Sequence, residues 1–488
     1  MVDQLDLRLG YVVRKDDLAT VMAMNRNTRM LYWIYIAVAV LSWSPSNALG
    51  YLAPFLFLLA TSFLIPQWNF LALFIFLTIA WIFQTVFYTM INPNFQIINS
   101  FISFATWSGL MILIIFPYKK SIQYTIIRKK LFIFAWMILF IESILGIIQL
   151  LYGFIQVGST DLSVGDFVEG TFHPDLSPEL SFSNPMFSIG ISLLLILLWK
   201  DVTERRNLLK YIIYLVGLSS LVLASTIHII AIFVVTLIIS WFITTVKIKP
   251  QKMIIRFGKN VTIVIVIFAV ATSLLLSAQP RNTQYLLSAR YLSKNTPRTG
   301  IMEVIIRELP KEYSFFSLFG LGPGQFASRA GLISTGLYFG GQWKSKPSEI
   351  TSQAQKKYLL PLKIKQIENP AFGRSSTAAP HSSWIAVFSE WGYLGVIVAI
   401  LLLLIILNKV NRAVHSFPTE KLILTWGILF FFFLGLGEVY WEVPQAWFPG
   451  LVLLKLIYFE CKQSTLASKN ELSQPAAIEH NTTLSPDG

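Results

Sequence analysis

The residues best suited to chemistry lie between His381 and Gly395, where a long polar segment gives way to an apolar stretch. If this stretch is a helix, with about 100° between successive residues, one of its faces begins with a histidine and ends with two glycines. That face carries His381, Trp384, Ile385, Phe388, Gly392 and Gly395. Glu390 falls nearly opposite. Because imidazole changes charge near neutral pH, His381 is a candidate general base. The alternative is that His381 is a hydrogen-bonded structural residue at the membrane boundary.

The segment before His381 is strongly cationic. Residues 278–380 contain fourteen Lys and Arg against five Glu and no Asp, a formal charge of +9. A cationic region next to a membrane suits anionic groups such as diphosphates or acidic sugars. Three arginines stand among apolar and small residues, where a planar guanidinium can clamp phosphate, namely Arg290, Arg298 and Arg307. The scattered lysines are expected to solvate the surface, namely Lys344, Lys346, Lys356, Lys357, Lys363 and Lys365.

A glycine-rich turn, FGLGPGQF over residues 319–326, lies within the same segment. Its spacing fits neither a Walker loop nor a dinucleotide fingerprint. We therefore expect it to bring main chain close to a glycan or to neighbouring helices. The predicted outer side has no Asp-X-Asp pair, so a metal-dependent reaction is less well supported. No cofactor is expected. Cys461 is the single cysteine, so an intrachain disulfide and a cysteine-based metal site are both excluded.

For the other ionisable residues the sequence gives weaker evidence of a functional role. Glu142 lies within an apolar stretch, where a carboxylate is a functional candidate by default. A structural, helix-bonded role explains Glu142 equally well. Glu438 and Glu442, near the last outer turn, are expected to face water, and His173 is expected to lie on the surface.

These residues belong to a chain that is too apolar for a soluble protein. Of its 488 residues, 55% are hydrophobic and 13% charged, and the mean hydropathy is +0.62. Such a composition indicates an all-α polytopic membrane protein. The net charge of +14 would suggest nucleic acid as the partner of a soluble chain. Here it indicates basic cytoplasmic loops, and no nucleic-acid partner is expected.

The apolar runs predict about twelve transmembrane helices. They are expected at 30–46, 48–66, 69–90, 97–117, 131–153, 184–199, 211–225, 227–246, 261–277, 382–407, 422–436 and 445–459. As one helix, the run from Tyr211 to Val246 would be roughly 54 Å long against a hydrocarbon core of about 30 Å, so we place a break near 224–226. This count puts four basic loops on the side of the N-terminus and the acidic segment 154–182 on the other.

The predicted organisation follows from these spans. A cytoplasmic N-terminal segment (1–29) precedes nine helices (30–277), and a large, partly helical extracytoplasmic loop (278–381) precedes three more (382–459). The tail (460–488) is rich in small polar residues and is expected to be disordered. Both termini are expected in the cytoplasm, in a multi-pass protein whose active site faces the exterior.

The spans, the late outer loop, the GLGPGQF turn and the histidine that opens the next helix together resemble the O-antigen ligase and polymerase superfamily of bacterial membrane glycosyltransferases. In that family the helix after the large loop typically starts with His-Asn or His-Ser and continues to Glu-aromatic-Gly. The matching residues here are His381, Ser382, Glu390, Gly392 and Gly395. A second similarity lies at Gly170-Thr171-Phe172 and Asn184-Pro185. The resemblance covers roughly residues 165–400.

The resemblance implies a GT-C-like fold and an inverting, metal-independent reaction on the outer face of the bacterial plasma membrane. A glycan would pass from a polyprenyl (undecaprenyl) diphosphate carrier to an acceptor sugar. His381 would then be the base, the three loop arginines the diphosphate clamp, and Glu390 a substrate-binding residue. The family usually carries a Ser-Arg pair at a mid-chain span, where this chain reads Ser225-Thr226-Ile227-His228. Either His228 or a loop arginine replaces the missing arginine, or this protein handles its donor differently.

Two alternatives stay open at this point. A polymerase extends another lipid-linked repeat, whereas a ligase attaches the chain to lipid A core or protein, and the missing arginine favours the polymerase. The alternative from another class is a polysaccharide or lipid transporter or flippase, with Glu142, His228 and Glu390 as a proton or ion relay. It leaves the cationic loop before His381 unexplained. The expected partners are the lipid-linked donor, the glycan acceptor, the lipid bilayer, and a chain-length regulator or flippase.

Overall fold

The computed structural model describes residues 24–64, 68–158, 167–173, 184–204, 207–245, 296–336, 349–368 and 379–473, with the single positions 273 and 277. These residues form helices joined by turns, without a strand among them. Six helices in this part of the chain are long and apolar enough to cross a membrane. The prediction of an all-α membrane protein is confirmed at this level.

In the described residues, eight helices precede the cationic segment. They are α1 (Arg26–Ser42), α2 (Asn47–Leu64), α3 (Trp68–Ile91), α4 (Ile97–Ile115), α5 (Tyr124–Val157), α6 (Asn184–Glu204), α7 (Leu208–Leu223) and α8 (Ile227–Thr245). Each of them overlaps a predicted span. The ninth predicted span, 261–277, lies outside the described residues apart from the two single positions.

The described part of the cationic segment consists of short helices. They are α9 (Pro297–Glu303), a π-helical turn (Val304–Glu308), α10 (Leu309–Glu312), α11 (Phe316–Phe319), α12 (Arg329–Ser334), a second π-helical turn (Gln355–Leu359) and α13 (Leu360–Glu368). Thr296 starts α9, because its hydroxyl accepts the N–H of Thr299 and proline follows it. A small apolar core that includes Ile301, Phe316 and Phe326 joins these helices.

Three helices complete the described chain, α14 (Ser383–Ala413), α15 (Pro418–Leu434) and α16 (Pro444–Ser473). Ser382 caps α14 by accepting the N–H of Ile385 at 3.1 Å. The prediction that the chain is disordered from residue 460 is wrong for residues 460–473, because α16 continues to Ser473. Ala, Leu, Lys and Glu in this stretch are good helix formers, and an existing helix extends without a new nucleus.

The core of the bundle surrounds α6. Leu195, Ile196 and Leu197 are fully buried among side chains of α15 and α16. The indole of Trp426 from α15 packs edge-on against Trp199, with ring centroids 5.9 Å apart. By contrast, α14 contacts mainly α11, α15 and α16, and most of its apolar side chains are exposed at the edge of the described bundle.

The apolar run from Tyr211 to Val246 breaks at the position predicted from its length. α7 ends at Leu223 and α8 begins at Ile227, with Ser225 in the left-handed region at φ 63°. The Thr226 hydroxyl bonds the Ser188 hydroxyl of α6 at 2.6 Å, which anchors the break in the core. This turn sets the position of the first residues of α8, including His228.

Candidate functional site

The helix α14 is interrupted at Gly392, whose φ of 63° and ψ of −158° are readily adopted only by glycine. The interruption frees two carbonyls, those of Ser389 and Glu390. They accept the N–H groups of Leu321 and Gly322 at 2.9 and 3.0 Å. A Cβ atom on Gly392 would stand 2.4 Å from the opposing main chain, so the two backbones are in contact. The glycine-rich turn therefore docks onto the kink of α14.

Glu390 holds this turn with its side chain. The carboxylate is fully buried and accepts three main-chain N–H groups at 2.6, 3.0 and 3.2 Å, those of Gly324, Phe326 and Ser328. Converging main-chain N–H groups are typical of an anion-binding concavity, and here the bound anion is the protein's own carboxylate. In the structure Glu390 thus organises the turn, and its contact with substrate stays a prediction.

Glu442 holds the next peptide in the same way. Its buried carboxylate accepts the N–H of Arg329 at 3.1 Å and the hydroxyl of Thr106 at 3.0 Å. The expectation that Glu442 faces water is wrong, because these donors satisfy the carboxylate inside the protein. Burial, together with the carboxylate of Glu390, raises the pKa of Glu442 to about 8.

His381 contacts the same turn. Its Nδ1 lies 3.3 Å from the carbonyl oxygen of Ala327. Because a carbonyl only accepts, Nδ1 carries the hydrogen, and in a neutral ring Nε2 then holds the lone pair. The residue is 2% exposed, and Nε2 has no hydrogen-bond partner in the described part of the chain. A general base needs an unprotonated atom to take the proton, and Nε2 of the neutral ring is one.

Three cations act on the His381 ring, from Arg298, Arg329 and Lys363. Burial, then the charge of Lys363 and those of the two arginines, hold the pKa of His381 well below its ordinary range, against the opposing hydrogen bond to Ala327. The imidazole is therefore neutral at physiological pH. The expectation that Lys363 solvates the surface is wrong, because α13 packs against α9 and leaves this residue half-buried.

Arg298 ties two segments of the site together. Its guanidinium donates to four main-chain carbonyls at 2.6 to 3.2 Å, those of Ala379, His381, Leu436 and Gly437. The first two precede α14, and the other two belong to the turn between α15 and α16. Arg298 therefore fixes the position of His381. Its contact with a diphosphate stays a prediction.

His228 reaches the turn between α15 and α16 from α8. Its Nε2 lies 2.9 Å from the hydroxyl of Tyr440, and the two rings are nearly parallel, with centroids 6.0 Å apart. A Cβ atom on Gly437 would stand 3.0 Å from the His228 ring. The structure thus brings His228, Arg298 and His381 to one turn, as far as its described residues go.

The other predicted arginines do not join this cluster. Arg307 is exposed and pairs with Glu303 at 3.1 Å, about 14 Å along the helix from Arg298. Arg290 lies outside the described residues. Arg329, which sequence reasoning missed, acts on the His381 ring through its charge instead. The signal for it in the sequence was its position three residues after the glycine-rich turn.

Glu142 has a structural environment. Its carboxylate accepts the N–H of Thr171 at 2.9 Å and also the hydroxyl of that residue. Farther along α5, Gln149 accepts the N–H of Gly170 at 2.7 Å and donates to its carbonyl at 3.1 Å. Both side chains hold the short helix Gly170–Phe172 against α5, which favours the structural interpretation of Glu142.

An apolar groove of about 920 Å³ begins beside Trp441 and runs along α14. It is lined by α3, α4, α14, α15 and α16. From Val387 to Lys409 the groove follows α14 for roughly 33 Å, close to the ~30 Å thickness of a hydrocarbon core. One end therefore lies near the cluster around His381, and the other lies a membrane thickness away.

The chain matches no protein-family model and no curated protein. The chemistry of the site is thus the basis for assigning a function. In its described residues the site combines three neighbouring cations with a neutral imidazole whose Nε2 has no hydrogen-bond partner there. A lipid-sized groove begins nearby, at Trp441. This combination suits a reaction in which an anionic, lipid-linked group leaves.

Proposed function

We propose that this protein is a membrane-embedded, inverting glycosyltransferase of the O-antigen ligase and polymerase type. It transfers a glycan from a polyprenyl diphosphate carrier to an acceptor sugar during assembly of surface polysaccharide. The site faces the outer side of the bacterial plasma membrane, in a protein of about twelve spans. The observation that carries the proposal is the buried Nε2 of His381, which has no hydrogen-bond partner among the described residues and lies among three cations.

In the proposed reaction the acceptor hydroxyl gives its proton to Nε2 of His381 while its oxygen attacks the anomeric carbon. The bond between the anomeric carbon and the phosphate oxygen breaks, and polyprenyl diphosphate leaves from the opposite face with inversion. Lys363 and Arg329 stabilise the charge that develops on the leaving diphosphate, so the reaction needs no metal. Arg298 acts as a positioning residue through the carbonyl of His381.

A polymerase is the favoured form, because the mid-chain Ser-Arg pair of the ligase pattern is missing where this chain reads Ser225-Thr226-Ile227-His228. The test incubates the protein in proteoliposomes with one defined lipid-linked repeat unit, with and without a lipid A core or protein acceptor. We expect a ladder of products of increasing length on the carrier. A single product on a lipid A core or protein acceptor would indicate a ligase. A carrier-linked glycan that is never transferred would overturn the proposal.

A lipid flippase is the second candidate, and the groove supports it because its length matches the thickness of a membrane. The relay suggested for such a transporter has less support. Glu142 bonds Thr171, His228 bonds Tyr440, and Glu390 bonds the glycine-rich turn, so these hydrogen bonds share no partner. A flippase would move a labelled lipid-linked glycan across the proteoliposome membrane without changing its covalent structure.

The proposed base predicts a particular pH dependence. His381 must be neutral to accept a proton, so transfer persists to pH values well below the ordinary histidine range and falls as pH drops through its lowered pKa. Since the charge of Lys363 helps to lower that pKa, Lys363→Gln should raise it. The acid midpoint of kcat/KM is then expected at higher pH. Lys365→Gln, an exposed change on the same helix, should leave the midpoint unchanged, and an unshifted midpoint in Lys363→Gln would contradict the assignment.

A further inference from the structure

Three lysines line the end of the groove that lies farthest from His381. Lys409 comes from α14, and Lys455 and Lys462 come from α16. Lys409 and Lys455 are close enough to repel each other. Among the described residues, no ion pair joins any of the three to a carboxylate. Lys409 and Lys462 therefore make this end of an otherwise apolar groove positively charged.

Aromatic and main-chain contacts hold two of these ammonium groups at the edge of the groove. Lys455 Nζ donates to the carbonyl of Ile114 at 2.9 Å and lies 5.8 Å from the ring centroid of Phe116. Lys462 Nζ lies 4.9 Å from the ring centroid of Tyr118. Such contacts keep the charges beside the groove instead of in bulk water.

The carboxylates at this end of the bundle are paired with other cations. Glu460 of α16 bonds Arg128 at 2.7 Å, and Glu420 of α15 bonds Lys200. Neither carboxylate lines the groove. The complementary partner for the three lysines is thus an anion, and the groove beside them accepts a hydrocarbon chain.

We infer that this end of the groove binds a phospholipid with an anionic headgroup. The phosphate lies among Lys409, Lys455 and Lys462, and an acyl chain extends along α14 between apolar side chains that include Leu402 and Leu454. Clustered lysines at a membrane surface attract anionic lipids, and the groove would localise one molecule between helices. This inference is independent of the proposed glycan transfer.

The test titrates delipidated protein in detergent with phosphatidylglycerol or phosphatidylcholine of identical chains and counts bound lipids by native mass spectrometry. We expect one tightly bound phosphatidylglycerol per chain and weaker binding of phosphatidylcholine. Lys409→Gln combined with Lys462→Gln should weaken phosphatidylglycerol binding about 25-fold, roughly fivefold per lysine, and leave phosphatidylcholine binding unaffected. Lys455 is left intact because it also bonds the end of α4.

The matched control removes two exposed cations from the same end of the bundle, Lys129→Gln with Arg412→Gln. Neither residue lines the groove, so binding should not change. Equal affinity for the two lipids, or an equal loss in the control, would overturn the inference. Glycerol phosphate that binds as tightly as the intact lipid would also overturn it, because the groove would then contribute nothing.

Discussion

Replacing His381 with alanine or glutamine is expected to lower the rate of glycan transfer by roughly 10²- to 10⁴-fold, the usual contribution of a positioned base. Neither side chain can take the proton of the acceptor hydroxyl. Glutamine keeps an amide donor for the carbonyl of Ala327, so it preserves the hydrogen bond that the ring makes there at 3.3 Å. The measurement is the single-turnover rate with a lipid-linked donor, together with the thermal midpoint of each variant.

The matched control is His415→Ala, a change at an exposed histidine after α14. It should transfer glycan at the wild-type rate. If His381→Gln has a wild-type thermal midpoint and also the wild-type rate, His381 is not the base. If His381→Gln is slow and also has a lowered thermal midpoint, its rate is compared with that of His381→Ala. A purely structural role predicts that the transfer rates of the two variants fall in proportion to their loss of stability.

The long apolar helices of the described chain were predictable because hydropathy and length depend on local sequence. The break at 224–226 followed from a run too long for one crossing, and Ser225 stands there in the left-handed region. The end of α16 was not predictable in this way. Its last turns are polar, and polarity alone does not distinguish a disordered tail from the continuation of a stable helix.

The site was predicted in part. The helical wheel placed Glu390 opposite His381. In the structure the helix begins at Ser383, after His381, and the glycine-rich turn contacts both residues, through the N–H of Phe326 and the carbonyl of Ala327. That arrangement depends on packing between segments more than 50 residues apart. Arg298 was chosen for its apolar neighbours, yet its carbonyl partner Leu436 is 138 residues away. Local composition carries no information about such a partner.

Removing the carboxylate of Glu390 should have the largest effect on stability. Glu390→Ala leaves three buried N–H groups without an acceptor, at roughly 1–3 kcal/mol each, so a loss of at least about 3 kcal/mol is expected. The glycine-rich turn would then loosen, and with it the carbonyl of Ala327 that orients His381. We therefore expect a lower thermal midpoint in detergent and, at temperatures where the variant stays folded, a lower kcat.

Glu390→Gln removes the negative charge but keeps one acceptor oxygen for the N–H groups of the turn. Comparing it with Glu390→Ala therefore separates the effect of the charge from that of the hydrogen bonds. The expected order of thermal midpoints is wild type, Glu390→Gln, then Glu390→Ala, and this order holds even if the alanine variant folds poorly. Glu308→Ala is the control, since its exposed pair with Lys311 contributes at most about 1 kcal/mol. A Glu390→Ala variant as stable as Glu308→Ala would show that the kink at Gly392 and the opposing main chain hold the turn without the carboxylate.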